Sequence, residues 1–378
     1  MINEERLVDL FLNLCKINAP ALQERDVIEW TKTYLTEHGL EFVEDEASKA
    51  IGGNANNIIV KVPGTLPDAP KIYLSAHFDT VEPTAGIVIE EIDGVFLSTS
   101  DTILGADDKG GMAPAIEAVL TLRESGEPHG DIYLLLTVAE EIGLKGAGAL
   151  KIEDLGLDFG YVLDTGPPVG SYVTRTANHD KLDITVKGKP AHAGKDPENG
   201  INAIKVVADA VEGMRIGRID PETTANLGTI HGGTGANVVC AEVTIKAEAR
   251  STNLQTLDDQ IAHMKQRFVD AATKWGAEVE FNYVRHYSAY NIDPESMVVQ
   301  VAQEASRNLG LDPELRTTLG GSDANIFNAK GVPSIVVATG MQKIHTHDEF
   351  ISRADLVKTA ELSLEILRVS AKASRKAG

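Results

Sequence analysis

Short apolar runs recur along the chain, separated by stretches with helical spacing. Residues 132–138 form one such run inside DIYLLLTVAEEIGLKGA; rich in β-formers and bounded by polar residues, it reads as a buried parallel strand. KIYLSA (71–76), GYVL (160–163) and SIVVA (334–338) repeat the pattern. Helical periodicity covers 3–15, 22–38, 112–122, 294–309 and 354–372. The middle of the chain is different. KLDITVK (181–187) alternates strictly, and 239–249 alternates with Val239, Ala241, Val243, Ile245, Ala247 and Ala249 on one face. With helices at 200–214 and 257–275 and strands at 226–231 and 277–285, the order there is β-α-β-β-α-β, a ferredoxin-like arrangement.

The alternating region interrupts a doubly wound pattern that resumes near Tyr290. The expected fold is therefore α/β. A doubly wound, mostly parallel sheet domain (1–174 and 291–378) carries an inserted α+β ferredoxin-like lid or dimerisation domain (175–290). A length of 378 residues accommodates two domains. Segments 171–174 and 290–293 are the expected hinges between them.

Composition narrows the function. A hydrophobic content of 43% with 24% charged residues is that of an ordinary globular protein. The formal charge of −21 disfavours nucleic acid and anionic membranes as partners, and it attracts divalent cations. The two cysteines, Cys15 and Cys240, stand far apart in apolar surroundings and read as buried thiols in a reducing compartment. The amino-terminal stretch reads as an amphipathic helix and not a secretory signal, and no run approaches a membrane span. A cytoplasmic location is the expectation.

Chemistry gathers where the apolar runs end. KIYLSA is followed by His77 and Asp79, the 132–138 run by Glu140 and Glu141, GYVL by Asp164, and SIVVA by a loop bearing His345 and His347. Open α/β sheets bind ligands beyond the carboxyl ends of their strands, so these side chains are expected along one edge. GADDKGG (105–111) adds Asp107 and Asp108 where a glycine turn enters a helix; Asp108, with Lys109, is expected to cap and balance the helix start. Imidazoles and carboxylates without thiolate suit Zn²⁺, Mn²⁺ or Co²⁺ in a hydrolytic site. The groups outnumber the needs of one tetrahedral ion, which points to two ions bridged by a carboxylate. A metal-bridging hydroxide would be the nucleophile, and one carboxylate of the Glu140–Glu141 pair would move the proton. Asp79, two residues past His77, is placed to accept from its imidazole. His38, His129, His179, His263 and His286 have no such setting and read as surface residues.

HFDT, GADDKGG, AEEIGLKGA, the aspartate of VLDTG and IHTHDEF together resemble the M20 family of dinuclear zinc metallopeptidases, in wording most similar to its peptidase T (tripeptide aminopeptidase) branch. The resemblance spans nearly the whole chain. It implies two Zn²⁺ ions per subunit, with Co²⁺ or Mn²⁺ as substitutes. His77 and Asp164 would hold one ion, Glu141 and His345 the other, and Asp107 would bridge them. Glu140 would be the general base and Asp79 would orient His77. The family pattern prefers His345 over His347 as ligand. The lid would offer His192 (KPAHAG), Asn237 (GGTGANVV) and Arg250 (EARS) to the substrate, and Gly321 lies in a loop resembling a substrate-lining one. The implied activity is release of residues from short peptides, with the lid as a route to a homodimer. N-acyl amino acid deacylation and carboxypeptidase or dipeptidase action are the alternatives within the family.

Overall fold

The computed structural model describes residues 1–373. The first segment forms α1 (Glu4–Cys15), α2 (Arg25–Glu37), β1 (Phe42–Glu44), α3 (Ala47–Ile51), β2 (Ile58–Val62), β3 (Ile72–His77), β4 (Ile89–Ile92), β5 (Val95–Ser98), α4 (Ala106–Ser125), β6 (Ile132–Thr137), α5 (Lys145–Ala149), β7 (Phe159–Thr165) and β8 (Ser171–Arg175). There follow β9 (Asn178–Lys187), α6 (Ala203–Val211), β10 (Gly217–Asp220), β11 (Thr223–Gly232), β12 (Glu242–Ser251), α7 (Leu254–Trp275) and β13 (Glu278–Tyr287). The last segment forms α8 (Met297–Asn308), β14 (Glu314–Thr317), α9 (Asp323–Ala329), β15 (Ser334–Ala338), β16 (Phe350–Ser352) and α10 (Arg353–Lys372). These elements pack into two units. One holds Met1–Thr174, Tyr290–Thr317 and the chain from Ser322, and the other holds Arg175–Ala289 with Thr318–Gly321.

The large sheet of the first unit runs β1-β2-β6-β3-β7-β15-β8-β14. The four apolar runs singled out in the sequence are its neighbours β6, β3, β7 and β15, and they are mutually parallel. Toward the edges, β1, β2 and β8 pair antiparallel. The central runs are apolar on both faces because each face is covered. Leu74, Leu134, Leu136, Leu163 and Val337 pack with α1, α4 and α10, while Tyr73, Leu135, Val162 and Val336 pack with residues of α5 and α9. Side-chain caps set helix starts: Asn3 accepts from the Arg6 amide and Ser352 from that of Asp355.

In the second unit the sheet order is β10-β11-β12-β9-β13, antiparallel throughout. Leu182, Ile184 and Val186 of β9 and Val243, Ile245, Ala247 and Ala249 of β12 form one core with α6 and α7. This is the ferredoxin-like order with an added edge strand, β10. The alternation read from 239 becomes a strand only at Glu242. Residues 239–241 leave the ladder because Val239 donates to the Ala191 carbonyl, while the carbonyls of Cys240 and Ala241 accept from Ala203 and Gly188.

Two histidines expected at the surface are buried. His129 lies against the Gly130 carbonyl and His179 against Glu248. Both cysteines are buried and free. Among the described residues no helix is long and apolar enough to cross a membrane.

Candidate metal centre

The parallel order β6-β3-β7-β15 brings four carboxyl ends to one sheet edge. His77 closes β3, Glu140 and Glu141 follow β6, Asp164 lies near the end of β7, and His345 sits on the loop after β15. Asp107 arrives from the start of α4. Its backbone angles (φ −84°, ψ 102°) and those of Asp108 (φ −121°, ψ 33°) are not helical, so both acids stand off the helix proper. The peptide between them is cis. At Gly111, a Cβ would fall 2.0 Å from the Leu163 carbonyl and 2.5 Å from Oδ1 of Asp108. Only glycine lets this turn lie directly on β7.

Asp107 sits between two imidazoles. Nε2 of His77 is 3.2 Å from its Oδ1, and Nε2 of His345 is 3.1 Å from its Oδ2. The latter nitrogen is also 3.0 Å from Oε1 of Glu141. Donor atoms of His77, Asp107 and Asp164 lie within 4.8 Å of one another, as do those of Asp107, Glu141 and His345, and those of His77, Glu140 and Glu141. The first two triads share Asp107. Nδ1 of His77 lies 2.8 Å from the main-chain carbonyl of Asp79. Donating there leaves the Nε2 lone pair free for a metal. The Asp79 carboxylate is farther from that nitrogen, at 3.5 Å, and accepts instead from the amides of Glu140 and Glu141 at 2.9 and 3.0 Å. His345 adopts φ +63°, an uncommon angle for a residue with a Cβ. His347 is exposed, pairs with Asp101 at 2.9 Å and belongs to none of the triads.

The electrostatics call for cations. Asp79, Asp107, Asp108, Glu140, Asp323 and Glu349 are all buried around this point. The buried Lys109 ammonium donates to the Phe78 carbonyl. Burial pushes Glu140 and Asp164 well above the usual carboxylate range, and neighbouring carboxylates push the same way. Asp107 moves down despite its burial, because the His345 and His77 imidazoles stand against its two oxygens. Hydrogen bonds with Asp107 and then Glu141 lift His345 to about 10. Packed buried carboxylates are costly unless positive charge is placed among them. Donors that are all imidazole or carboxylate, in triads sharing one acid, fit a pair of Zn²⁺, Mn²⁺ or Co²⁺ ions.

Several contributors escaped the sequence reading. Asp108 does not cap α4: it is buried, with Oδ2 accepting from the His77 amide at 3.2 Å and Oδ1 left without a hydrogen-bond partner. Lys109 likewise lies inside, not at a solvated helix start. Glu349 accepts from the amides of Gly105 and Asp107 at 2.7 and 2.9 Å, fixing the loop that presents Asp107. Burial lifts its carboxyl to about 7. Asp323, at the start of α9, accepts from Thr137, and its Oδ1 is unpartnered. Glu349 stands beside the histidines of IHTHDEF and Asp323 inside GGSDAN, so acids within the motifs themselves were the available signal.

Residues 73–369 match the model of Peptidase family M20/M25/M40. The chain belongs to this family. It is 39% identical to the aminopeptidase PepT of Bacillus cereus, covering 98% of this chain and 99% of that one with a TM-score of 0.89. A tripeptidase of Staphylococcus aureus is 38% identical, with 99% and 100% covered and a TM-score of 0.94. An uncharacterised Bacillus subtilis protein, YqjE, is 38% identical over 98% of this chain and all of its own length. Peptidase T of Geobacillus kaustophilus is 27% identical over 82% of this chain and 84% of its own. This M20 chain is thus a peptidase with peptidase T among its relatives.

The remaining sequence candidates of this M20 peptidase lie in the inserted unit. His192 bridges to Val238, and the Ala193 amide donates to the Asn237 carbonyl at 2.9 Å, so His192 and Asn237 stand on adjoining exposed turns. Arg250 forms a separate group. Its Nε and Nη2 hold the Glu248 carboxylate at 3.1 and 3.0 Å, and Nη1 reaches the Leu319 carbonyl and the Tyr287 hydroxyl. The Arg250 fork, expected to be offered to the substrate, is engaged by Glu248. Gly321 lies against the ring of Tyr287, where a Cβ would come within 2.2 Å.

Proposed function

We propose that this M20 peptidase is a tripeptide-aminopeptidase-like exopeptidase holding two divalent cations, zinc being the best match to its donors. His77 and Asp164 would hold one ion, Glu141 and His345 the other, with Asp107 shared. The observation that carries this reading is the pair of triads meeting at Asp107 beside a further carboxylate, Glu140. Bound there, the ions would acidify a water and polarise the scissile carbonyl.

Glu140 serves as the general base, taking a proton from the attacking water and passing it to the leaving amine. Asp79 keeps the His77 tautomer through its main-chain carbonyl and holds the Glu140 and Glu141 amides through its side chain. His192, Asn237, Arg250 and Gly321 are assigned to substrate binding; for Arg250 this requires exchanging Glu248 for a substrate carboxylate. The inserted unit is assigned the lid or dimerisation role, and the location is taken as cytoplasmic.

Purified protein loaded with zinc and offered tri-alanine and N-acetyl amino acids tests the reading. Release of the amino-terminal alanine supports it. Deacylation without tripeptide cleavage would instead make the chain a deacylase of the same family.

A further inference from the structure

Four successive amides in the turn after β6 are taken by side chains. Val138 donates to Oδ1 of Asn57 at 3.0 Å and Ala139 to Oε1 of Glu24 at 2.9 Å. Glu140 and Glu141 donate to the two oxygens of Asp79. All three acceptor residues are fully buried, at 0% exposure. The carbonyls are taken as well: Val138 accepts from Gly146, Ala139 from Lys145, and Glu140 from both Gly143 and Leu144.

Ala139 is the pivot of this turn. It stands at φ +53°, disfavoured for a residue with a Cβ, between the end of the strand and the two glutamates. That angle ends strand alternation and sets where Glu140 and Glu141 point. Glu24 precedes α2 and is the acceptor at this pivot. Its Oε1 also accepts from the Leu22 amide at 3.0 Å, and its Oε2 has no hydrogen-bond partner. A buried carboxylate with one idle oxygen stabilises a fold poorly compared with an apolar side chain of the same volume. Burial and the nearby Asp79 both oppose its ionisation. The contact that distinguishes Glu24 is the one to Ala139.

We propose that Glu24 is a positioning residue of the metal centre: its hydrogen bond from the Ala139 amide holds the left-handed turn that directs Glu141 toward His345 and Glu140 toward the reacting water. This rests on the reading above, in which Glu141 holds a cation and Glu140 moves the proton.

Wild type, Glu24→Gln, Glu24→Asp and Glu24→Asp with Ala139→Gly form the test set. Zinc affinity is measured by titration of the metal-stripped proteins, and kcat, KM and the pH profile of kcat on a tripeptide. Glutamine keeps an acceptor oxygen where Oε1 lies, whereas aspartate keeps the charge but falls one methylene short. The aspartate variant is expected to lose roughly 10–100-fold in zinc affinity and kcat, the range for lost support behind metal ligands, with KM little changed and the kcat profile shifted. Glutamine stays close to wild type. Glycine at 139 needs no support for the left-handed angle, so the double variant recovers most of the loss.

An aspartate variant with wild-type affinity and kcat would overturn the inference, as would a glutamine variant equally impaired or a change confined to melting temperature. If Glu24→Asp alone does not fold, the double variant decides. A folded protein with restored affinity supports the proposal, whereas one that folds without it, or does not fold, overturns it. A wild type that binds no zinc in the same titration would fail the functional reading itself, and it is recognised before any variant is compared.

Discussion

His77 and His345 face opposite oxygens of one carboxylate, their Nε2 atoms 3.2 and 3.1 Å from Oδ1 and Oδ2 of Asp107. Two imidazoles on one acid define two adjacent positions for positive charge. Asp164 completes the triad on the His77 side, and Glu141 the one on the His345 side. Glu140 belongs to neither of these two triads, and its donor atoms lie within 4.8 Å of those of His77 and Glu141 in a third.

Replacing Glu140 with glutamine should leave the metal content intact and lower kcat roughly 10²–10⁴-fold, the range for loss of a general base. KM for a tripeptide should change little. Steady-state kinetics together with elemental analysis of the same sample checks this. Near-wild-type turnover would move the base to another group.

Gly111→Ala should destabilise the first unit. The added methyl would meet the Leu163 carbonyl at 2.0 Å and Oδ1 of Asp108 at 2.5 Å, neither of which is a flexible chain end. Overpacking of this kind costs about 1–3 kcal/mol. Urea unfolding of the two proteins measures it, and equal midpoints would show that α4 does not press on β7 as described.

The inserted unit carries its own pH dependence. The hydrogen bond from His179, helped by Arg250 and opposed by partial burial, lowers the Glu248 carboxyl from 4.5 to about 2. An acid with a depressed folded-state value stabilises fully above its unfolded value, and that contribution is lost as pH falls through the folded one. Glu248→Gln should therefore melt below wild type near neutrality, with the gap closing between pH 4.5 and 2. The gap should be small, because the Glu248 side chain is 36% exposed and solvent screens it. Melting temperatures across that range check the sign, and a gap that widens on acidification would contradict it.

The parallel centre of the sheet was legible because each run is apolar on both faces and ends in His, Asp or Glu, two properties that sequence displays directly. The groups behind this cluster were not. Glu24 reaches the Ala139 amide across 115 positions, and Glu349 reaches the Asp107 amide across 242. Capture of a distant amide leaves no periodicity to read. Asp108 misled for a local reason: aspartate at a helix start ordinarily caps, but here the non-helical angles at 107 and 108 turn it inward. Arg250 shows the reverse, a motif residue whose fork already holds Glu248.

If one acid is shared by two cations, metal content across three proteins reveals it. Wild type, Asp164→Ala and Asp107→Ala are loaded with zinc, dialysed and analysed for bound metal, with tripeptide hydrolysis followed before and after chelation. Two ions are expected in wild type, one in Asp164→Ala and none in Asp107→Ala, with hydrolysis abolished by the chelator and restored by zinc. Equal metal content in all three proteins, or full hydrolysis by the metal-stripped wild type, would contradict it.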